Sequence, residues 1–221
     1  MKNNLTELVF ILDRSGSMAG YENDTVGGFN STLEKQREGE GKVLVSTLLF
    51  DNSTKMVHDR VPIEEVRPMD RNTYYVGGMT ALLDAVGGAI HHIENIHKYA
   101  RPEDVPEHTL FIITTDGMEN ASREYTRDKV RKMIKDKTDN CGWEFIFLAA
   151  NIDAEATAEG IGIRRERAVN FSQDEIGMKA SYGAMSEAIT LCRASKSLDM
   201  GAWREELDED NNRRRGRKDK V

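Results

Sequence analysis

The chain has 221 residues, of which 31 are basic and 38 acidic, so its formal net charge is -7 and its isoelectric point is near 5.4. This length fits one α/β domain of fewer than about 200 residues with a short extension. The acidic balance argues against a general affinity of the main body for nucleic-acid phosphates.

The sequence shows no sign of export or membrane insertion. No apolar run approaches the roughly 20 residues that cross a bilayer. The first residues lead directly into an apolar segment, without the charged region and cleavage site of a secretory signal. We therefore expect a cytoplasmic protein with no membrane association, in which Cys141 and Cys192 are unpaired, buried or half-buried thiols.

The first part of the chain predicts strands that alternate with helices. Residues 8–12 form an apolar strand, and a helical repeat of apolar residues follows at Val26, Phe29 and Leu33. Residues 43–50 are nearly all apolar, as in a strand covered on both faces. The short turn at 51–53 can join only antiparallel neighbours, so 54–61 is predicted to be an antiparallel edge strand.

The alternation continues beyond a long connection at residues 62–79. Apolar residues line one face of a helix at Leu82, Val86, Ala89, Ile93 and Ile96. A strand is predicted at 109–115, and then a helix that buries Val130, Met133 and Ile134. A strand at 143–150 precedes a short helix that starts after Asp153 and stops at Gly160.

The last predicted elements are a short strand at 168–171 and a final helix. Ser172 and Glu175 have the spacing of a capping box, so the helix should start there. Its sheet-facing residues are predicted to be Ile176, Ala180, Ala184, Ala188 and Leu191. This order predicts an α/β fold: a mostly parallel six-stranded sheet with one antiparallel edge strand and helices on both faces.

Residues 204–221 differ in composition from the rest. Residues 205–210 are mainly acidic, 213–220 are mainly basic, and almost none is apolar. We predict a domain at 1–203 and a disordered charged tail at 204–221. A basic arm that contacts nucleic acid or an acidic partner is the alternative interpretation of this tail.

Oxygen-bearing side chains follow two of the apolar strands. Asp13, Ser15 and Ser17 come directly after the first strand, and Asp116 ends the strand at 109–115. Thr80 lies at the start of the helix between them. In a parallel sheet, ligands bind outside the carboxyl ends of the strands. Mixed hydroxyl and carboxylate oxygens suit Mg²⁺ or Mn²⁺.

This pattern resembles the metal-ion-dependent adhesion site (MIDAS) of the von Willebrand factor A (vWA) domain family, over roughly residues 5 to 195. The resemblance implies a three-layer Rossmann-like fold and an intact MIDAS. Its ligands would be the same five residues, Asp13, Ser15, Ser17, Thr80 and Asp116, and its ion Mg²⁺ (or Mn²⁺). The resemblance also implies that an Asp or Glu of a partner protein completes the coordination.

A stand-alone intracellular member of this family, of bacterial type, is expected to act as an adaptor in an ATPase or stress-response assembly, and not as an enzyme. Residues beside the metal loops are predicted to form a partner-binding rim: Met18, Tyr21, Tyr74, Tyr75, Met118, Glu119 and Asn120. Alternatively, the two adjacent tyrosines only cover the end of the sheet.

Other functions fit the motifs less well. A metal-dependent enzyme that acts on phosphate esters is the main alternative, but no general base is evident. A phosphatase with Asp13 as nucleophile would need an acid at the position of Ser15. The flanking sequence of Ser15 lacks the elbow of a serine hydrolase. A zinc site would need an i, i+4 histidine pair, which is not present among His91, His92 and His97.

Overall fold

The centre of the molecule is a six-stranded β-sheet, seen in a computed structural model that describes residues 4–196, 198 and 201–218. Its strands are β1 (Leu5–Asp13), β2 (Lys42–Phe50), β3 (Thr54–Pro62), β4 (His108–Thr115), β5 (Glu144–Ala149) and β6 (Ala168–Asn170). The order across the sheet is β3-β2-β1-β4-β5-β6. All neighbours are parallel except β2 and β3, which confirms the predicted antiparallel edge strand.

Helices cover both faces of this sheet. They are α1 (Glu22–Arg37), α2 (Leu82–Tyr99), α3 (Arg127–Cys141), α4 (Ala154–Gly160), α5 (Glu175–Arg193) and α6 (Glu205–Lys218). Side chains of β1 alternate between two cores, since Leu8 and Phe10 pack with α1 and α5, whereas Val9 and Ile11 pack with α2 and α3. The predicted three-layer α/β architecture is therefore confirmed.

The strand order reverses at β1. The chain moves from β1 to β2 and β3 on one side, and then crosses back to β4 on the other side. In such sheets, a crevice forms outside the carboxyl ends of the strands at this switch point. Asp13, the last residue of β1, and Asp116, which follows β4, both lie at this position.

The start of α5 differs from the prediction. Asp174 is the N-cap residue, and its Oδ1 accepts a hydrogen bond from the amide of Gly177 at 2.9 Å. Ser172 therefore does not cap the helix, because an aspartate one residue before the first turn takes that role. Ile176 points outward with 65% of its surface exposed, although Ala180 and the other predicted alanines are buried.

The C-terminal region also differs from the prediction. Residues Glu205–Lys218 form α6, whereas a disordered tail was expected from 204 onward. Two apolar side chains explain this helix, since Trp203 is 1% exposed and Leu207 is fully buried against the core beneath α5. Residues 219–221 of the predicted tail lie outside the described residues.

Two further findings concern the cysteines and the membrane. Cys192 is buried as expected, but Cys141, the last residue of α3, is exposed, so the prediction of a buried or half-buried thiol is wrong for Cys141. Within the described ranges, no helix combines the length and apolar character needed to cross a bilayer.

Candidate metal centre

The first part of the site is the turn after β1. The Asp13 carboxylate accepts the backbone amide of Ser15 at 2.7 Å on Oδ1 and the hydroxyl of Thr115 at 2.6 Å on Oδ2. The chain then makes a short 3₁₀ turn at Gly16–Met18, which brings the Ser15 and Ser17 hydroxyl oxygens within 3.1 Å of each other. One carboxylate and two hydroxyls therefore face the same space.

The loops after β4 and before α2 complete the cluster. The Ser17 hydroxyl donates to Asp116 Oδ1 at 2.6 Å, which links the β1 loop to the β4 loop. A Cβ atom placed on Gly117 would lie 3.3 Å from Thr80 Oγ1 and 3.5 Å from Ser17 Oγ. The structure thus brings the five residues predicted as metal ligands into one cluster at the carboxyl end of the sheet.

Backbone contacts between the loops fix this arrangement. The amide of Gly16 donates to the carbonyl of Gly78 at 3.1 Å. Thr80 and Asn120 exchange two hydrogen bonds, from the Thr80 amide to Asn120 Oδ1 at 2.9 Å and from the Asn120 amide to the Thr80 carbonyl at 3.0 Å. Gly78 has φ +75°, and a Cβ there would lie 2.2 Å from Asn52 Oδ1, so the position requires glycine.

Two buried carboxylates lie in the cluster without a basic partner. Asp13 is 1% exposed and Asp116 is 2% exposed. Arg14 is the nearest basic residue in sequence, but its Nη2 pairs with Asp51 Oδ2 at 3.0 Å. In the described part of the chain, no lysine, arginine or histidine pairs with Asp13 or Asp116. Buried charges are normally paired or bound to a metal, so the cluster fits a cation.

The electrostatics at Asp13 support the same conclusion. Burial raises the pKa of its carboxyl group, the charge of Asp116 raises it further, and hydrogen bonds from Thr115 and Ser15 act in the opposite direction. Ionisation of Asp13 therefore costs more in the folded protein than it does for a free carboxyl group. A divalent cation would offset this cost by compensating both carboxylates.

The donor set restricts the type of ion. Across the described residues there is no group of three or more His, Cys, Asp or Glu side chains placed to hold a metal. A metal at this cluster would therefore depend on hydroxyl oxygens as well as the two carboxylates. Such an oxygen set suits a hard cation such as Mg²⁺ or Mn²⁺ better than a soft one.

The prediction that Tyr74 belongs to the partner-binding rim is wrong. Tyr74 is fully buried, and its hydroxyl donates to the backbone carbonyl of Asp13 at 2.6 Å. Burial also raises the pKa of its phenol, which remains a neutral donor. Tyr21 is half-buried, and its hydroxyl donates to the carbonyl of Gln173 at 2.6 Å. Both tyrosines therefore hold backbone segments next to the cluster.

Met18 is also buried, with 5% of its surface exposed, so the prediction that it belongs to the rim is wrong as well. The other predicted rim residues divide into two groups. Met118 is 73% exposed and Tyr75 is 52% exposed, so both can contact a partner. Glu119 instead accepts hydrogen bonds from the amides of Leu83, Ala121 and Ser122 at 2.8–3.0 Å, which fixes the loop to the start of α2. Asn120 is exposed, but its side chain holds Thr80 as described above.

Sequence reasoning missed four residues of the site. Thr115 holds Asp13, Gln173 donates to Asp116 Oδ2 at 2.7 Å, and Met79 and Ile176 are exposed apolar side chains at the same end of the sheet. Thr115 and Met79 could have been found, because they adjoin predicted ligands. Gln173 could not, because it lies 57 positions from Asp116 and only the folded chain joins them.

Comparison with solved structures identifies the fold. The chain is similar to the manganese-loaded TRAP protein of Plasmodium vivax, with a TM-score of 0.55 and 14% identity over 82% of this chain and 73% of the other. It is also similar to proximal thread matrix protein 1 of the mussel byssus (TM-score 0.55, 13% identity, 84% of this chain and 46% of that one). This chain therefore spans less than half of the mussel protein.

A form of the mussel protein with a zinc-occupied MIDAS motif matches with a TM-score of 0.54 at 13% identity, over 83% of this chain and 45% of that one. At these identities, the likeness shows the vWA fold. Among curated protein sequences, none matches the chain. The family model of the VWA domain containing CoxE-like protein matches residues 2–153, which is more than half of the sequence. The chain belongs to this family of vWA domains.

Proposed function

We propose that this protein is a divalent-cation-dependent protein-binding module. Asp13, Ser15, Ser17, Thr80 and Asp116 would hold Mg²⁺ or Mn²⁺, and the ion would offer a coordination position to an Asp or Glu carboxylate of a partner protein. The observation that carries the proposal is the convergence of two buried, unpaired carboxylates with three hydroxyl oxygens.

The mixture of ligands supports binding of an acidic partner. Three of the five proposed ligands are neutral hydroxyls, so the cation would keep part of its positive charge. An all-carboxylate site would cancel that charge and weaken the attraction for an incoming acid. Two vWA-fold relatives are described as manganese-loaded and as having a zinc-occupied MIDAS, which is consistent with a metal at this position.

The surface around the cluster indicates what surrounds the partner's acid. Four of the large apolar side chains that are exposed lie on the loops and helix start at this end: Tyr75, Met79, Met118 and Ile176, which are 52%, 52%, 73% and 65% exposed. Methionine and tyrosine are enriched at interface cores. A partner segment that places apolar side chains beside an acidic residue would bury this surface.

The proposal makes the protein an adaptor and not a catalyst, and an ATPase or stress-response assembly remains the partner class that the family resemblance suggests. The competing function is metal-dependent hydrolysis of phosphate esters. Release of phosphate from p-nitrophenyl phosphate in the presence of Mg²⁺, lost in Asp13→Asn, would favour the enzyme.

The test is capture of partners from native lysate on the immobilised protein, in Mg²⁺ and in excess chelator. We expect a partner that is retained only in Mg²⁺ and is lost with Thr80→Ala. Changing the partner's contacting Asp or Glu to the amide should abolish retention, because a neutral oxygen loses most of the attraction to the cation. A partner that binds equally well in chelator would refute metal-dependent binding.

A further inference from the structure

Gln173 connects the candidate metal centre to the C-terminal part of the chain. Its side-chain amide donates to Asp116 Oδ2 at 2.7 Å and to the carbonyl of Ser17 at 3.1 Å, and its Oε1 accepts from Asn151 Nδ2 at 2.5 Å. Its own carbonyl accepts the hydroxyl of Tyr21. These contacts hold one side chain between three loops of the site.

The hydrogen bond from Gln173 Nε2 fixes the orientation of the Asp116 carboxylate. The carboxylate accepts Ser17 on Oδ1 and Gln173 on Oδ2, so each oxygen has one donor. The Ser17 oxygen can then direct its lone pairs toward the centre of the cluster. Groups that orient a metal-binding carboxylate without touching the metal commonly account for about 10-fold to 100-fold in metal affinity.

The residue after Gln173 is anchored by α6. Asp174 caps α5 and forms a two-point ion pair with Arg214 of α6, with Nη1 to Oδ2 at 2.6 Å and Nη2 to Oδ1 at 3.1 Å. Arg214 is itself held by Asp210, which accepts its Nε at 2.6 Å. The planar guanidinium therefore fixes the position and orientation of the turn that carries Gln173.

The helix that bears Arg214 is attached to the adjacent strand. Asn211 Nδ2 donates to the carbonyl of Asn170 at 2.7 Å, and Arg204 Nη1 donates to the carbonyl of Ala168 at 2.6 Å. Both carbonyls belong to β6, at the edge of the sheet. Leu207 is fully buried, so α6 and Arg204, which directly precedes it, are fixed at both ends of the segment from Ala168 to Asp174.

We propose that Arg214 is a positioning residue of the candidate metal centre: through Asp174 it keeps Gln173 on Asp116 and so prepares the site for its cation. This inference rests on the proposed function. It assigns a role to α6, which lies outside the part of the chain that the family model matches. Removal of the Arg214 side chain should lower metal affinity without unfolding the protein.

Arg213 provides the matched control. It is the same residue type on the same helix, and its side chain is 69% exposed. Among the described residues it contacts only Glu209, one turn earlier, at 3.3 Å from Nε to the carbonyl and 4.0 Å from Nη2 to the carboxylate. Arg213→Ala and Arg214→Ala therefore change the net charge and the helix equally. Only the second variant removes a contact to the turn at Asp174.

The experiment measures Mn²⁺ affinity from the electron paramagnetic resonance signal of free Mn²⁺, together with hydrogen exchange of the metal-free protein at the amides of Gly177 and Met178. In Arg214→Ala we expect several-fold weaker Mn²⁺ binding and faster exchange at these amides. Arg213→Ala should match the wild type in both measurements. Gln173→Ala, which acts at the other end of the connection, should weaken Mn²⁺ binding by about tenfold.

Equal Mn²⁺ affinities of Arg214→Ala and Arg213→Ala, or an unchanged affinity of Gln173→Ala, would overturn the inference even if exchange at the turn increased. If Arg214→Ala unfolds, Arg214→Lys decides, because it keeps the charge but cannot form the two-point contact with Asp174, and its Mn²⁺ affinity should then also be lower than that of Arg213→Ala. A wild-type protein that binds no Mn²⁺ would overturn the proposed function itself, so the two failures are distinguishable.

Discussion

Asp13 illustrates, at the level of one residue, the basis of the proposed cation binding. Its carboxylate lies at the end of a buried strand, where hydrogen bonds from Ser15 and Thr115 hold it in one orientation. Those hydrogen bonds only partly offset the cost of burial and of the nearby Asp116, since the pKa of Asp13 remains raised. The protein thus holds a charge that its own groups do not neutralise.

A pH dependence follows from this raised pKa. The folded chain holds the Asp13 proton more tightly than the unfolded chain does. Without metal, this group therefore lowers the free energy of unfolding as the pH rises from the ordinary carboxyl pKa of 3.8 through the raised pKa of the folded state. The free energy of unfolding of the wild type, relative to Asp13→Asn, should therefore decrease over this range. Urea unfolding in chelator at a series of pH values measures it.

Comparison with Asp13→Asn is the necessary control, because other carboxyl groups have the opposite effect. Asp174 has a lowered pKa, caused by the amide of Gly177 and by Arg214, so it makes stability rise over acidic pH. Such contributions cancel in the difference between the two proteins. A difference that stays constant with pH would show that Asp13 has an ordinary pKa.

The elements show which parts of the fold could be predicted from sequence. Apolar periodicity and turn length are local properties, and they predict the strands, the antiparallel edge strand and the positions of the two loops that carry Asp13 and Asp116. The helix α6 could not be predicted in this way, because its sequence is almost entirely polar and contains a single apolar residue, Leu207. Its position depends on Asn211 and Arg214, and on Arg204 just before the helix, which bind partners far away in the sequence.

The docking of α6 gives a prediction at this scale. Leu207 is fully buried beneath the helix, so Leu207→Ala should lower the free energy of unfolding by about 2–5 kcal/mol through lost burial and a cavity. Glu209→Ala on the exposed side of the same helix should change it by less than about 0.5 kcal/mol. Denaturant unfolding compares them, and equal values would mean that α6 does not pack as described.

The contact between α1 and α5 gives another matched pair. A Cβ on Gly28 would lie 2.1 Å from Tyr182 Cδ2, whereas a Cβ on the preceding Gly27 would meet nothing within 4 Å. Gly28→Ala should therefore destabilise the protein by about 1–3 kcal/mol. Gly27→Ala should stabilise it by up to about 1 kcal/mol, because alanine favours a helix.

Thermal unfolding of both alanine variants measures these effects. If Gly28→Ala were as stable as Gly27→Ala, the close approach of Tyr182 to α1 would be refuted. The pair also tests the three-layer packing, because Gly28 allows α5 to lie near α1 on the side of the sheet that carries the turn at Gln173.

At the scale of the whole molecule, the sheet topology accounts for the position of the site. The reversal of strand order at β1 brings the ends of β1 and β4 together, and the loop before α2 closes the third side. The ligand pattern could be predicted from sequence because each motif directly follows a strand or starts a helix. The contributions of Tyr74 and Gln173 could not, because each reaches the site from a distant segment of the chain.

The central claim is that the five converging side chains bind one divalent cation. The most direct test is a titration of the wild type and of Asp13→Asn with Mn²⁺, following the free ion by electron paramagnetic resonance and adding Mg²⁺ in competition. We expect one Mn²⁺ bound per wild-type chain, its displacement by Mg²⁺, and loss of this binding in the folded variant. Equal binding of Mn²⁺ by the two proteins, or none by the wild type, would contradict the account.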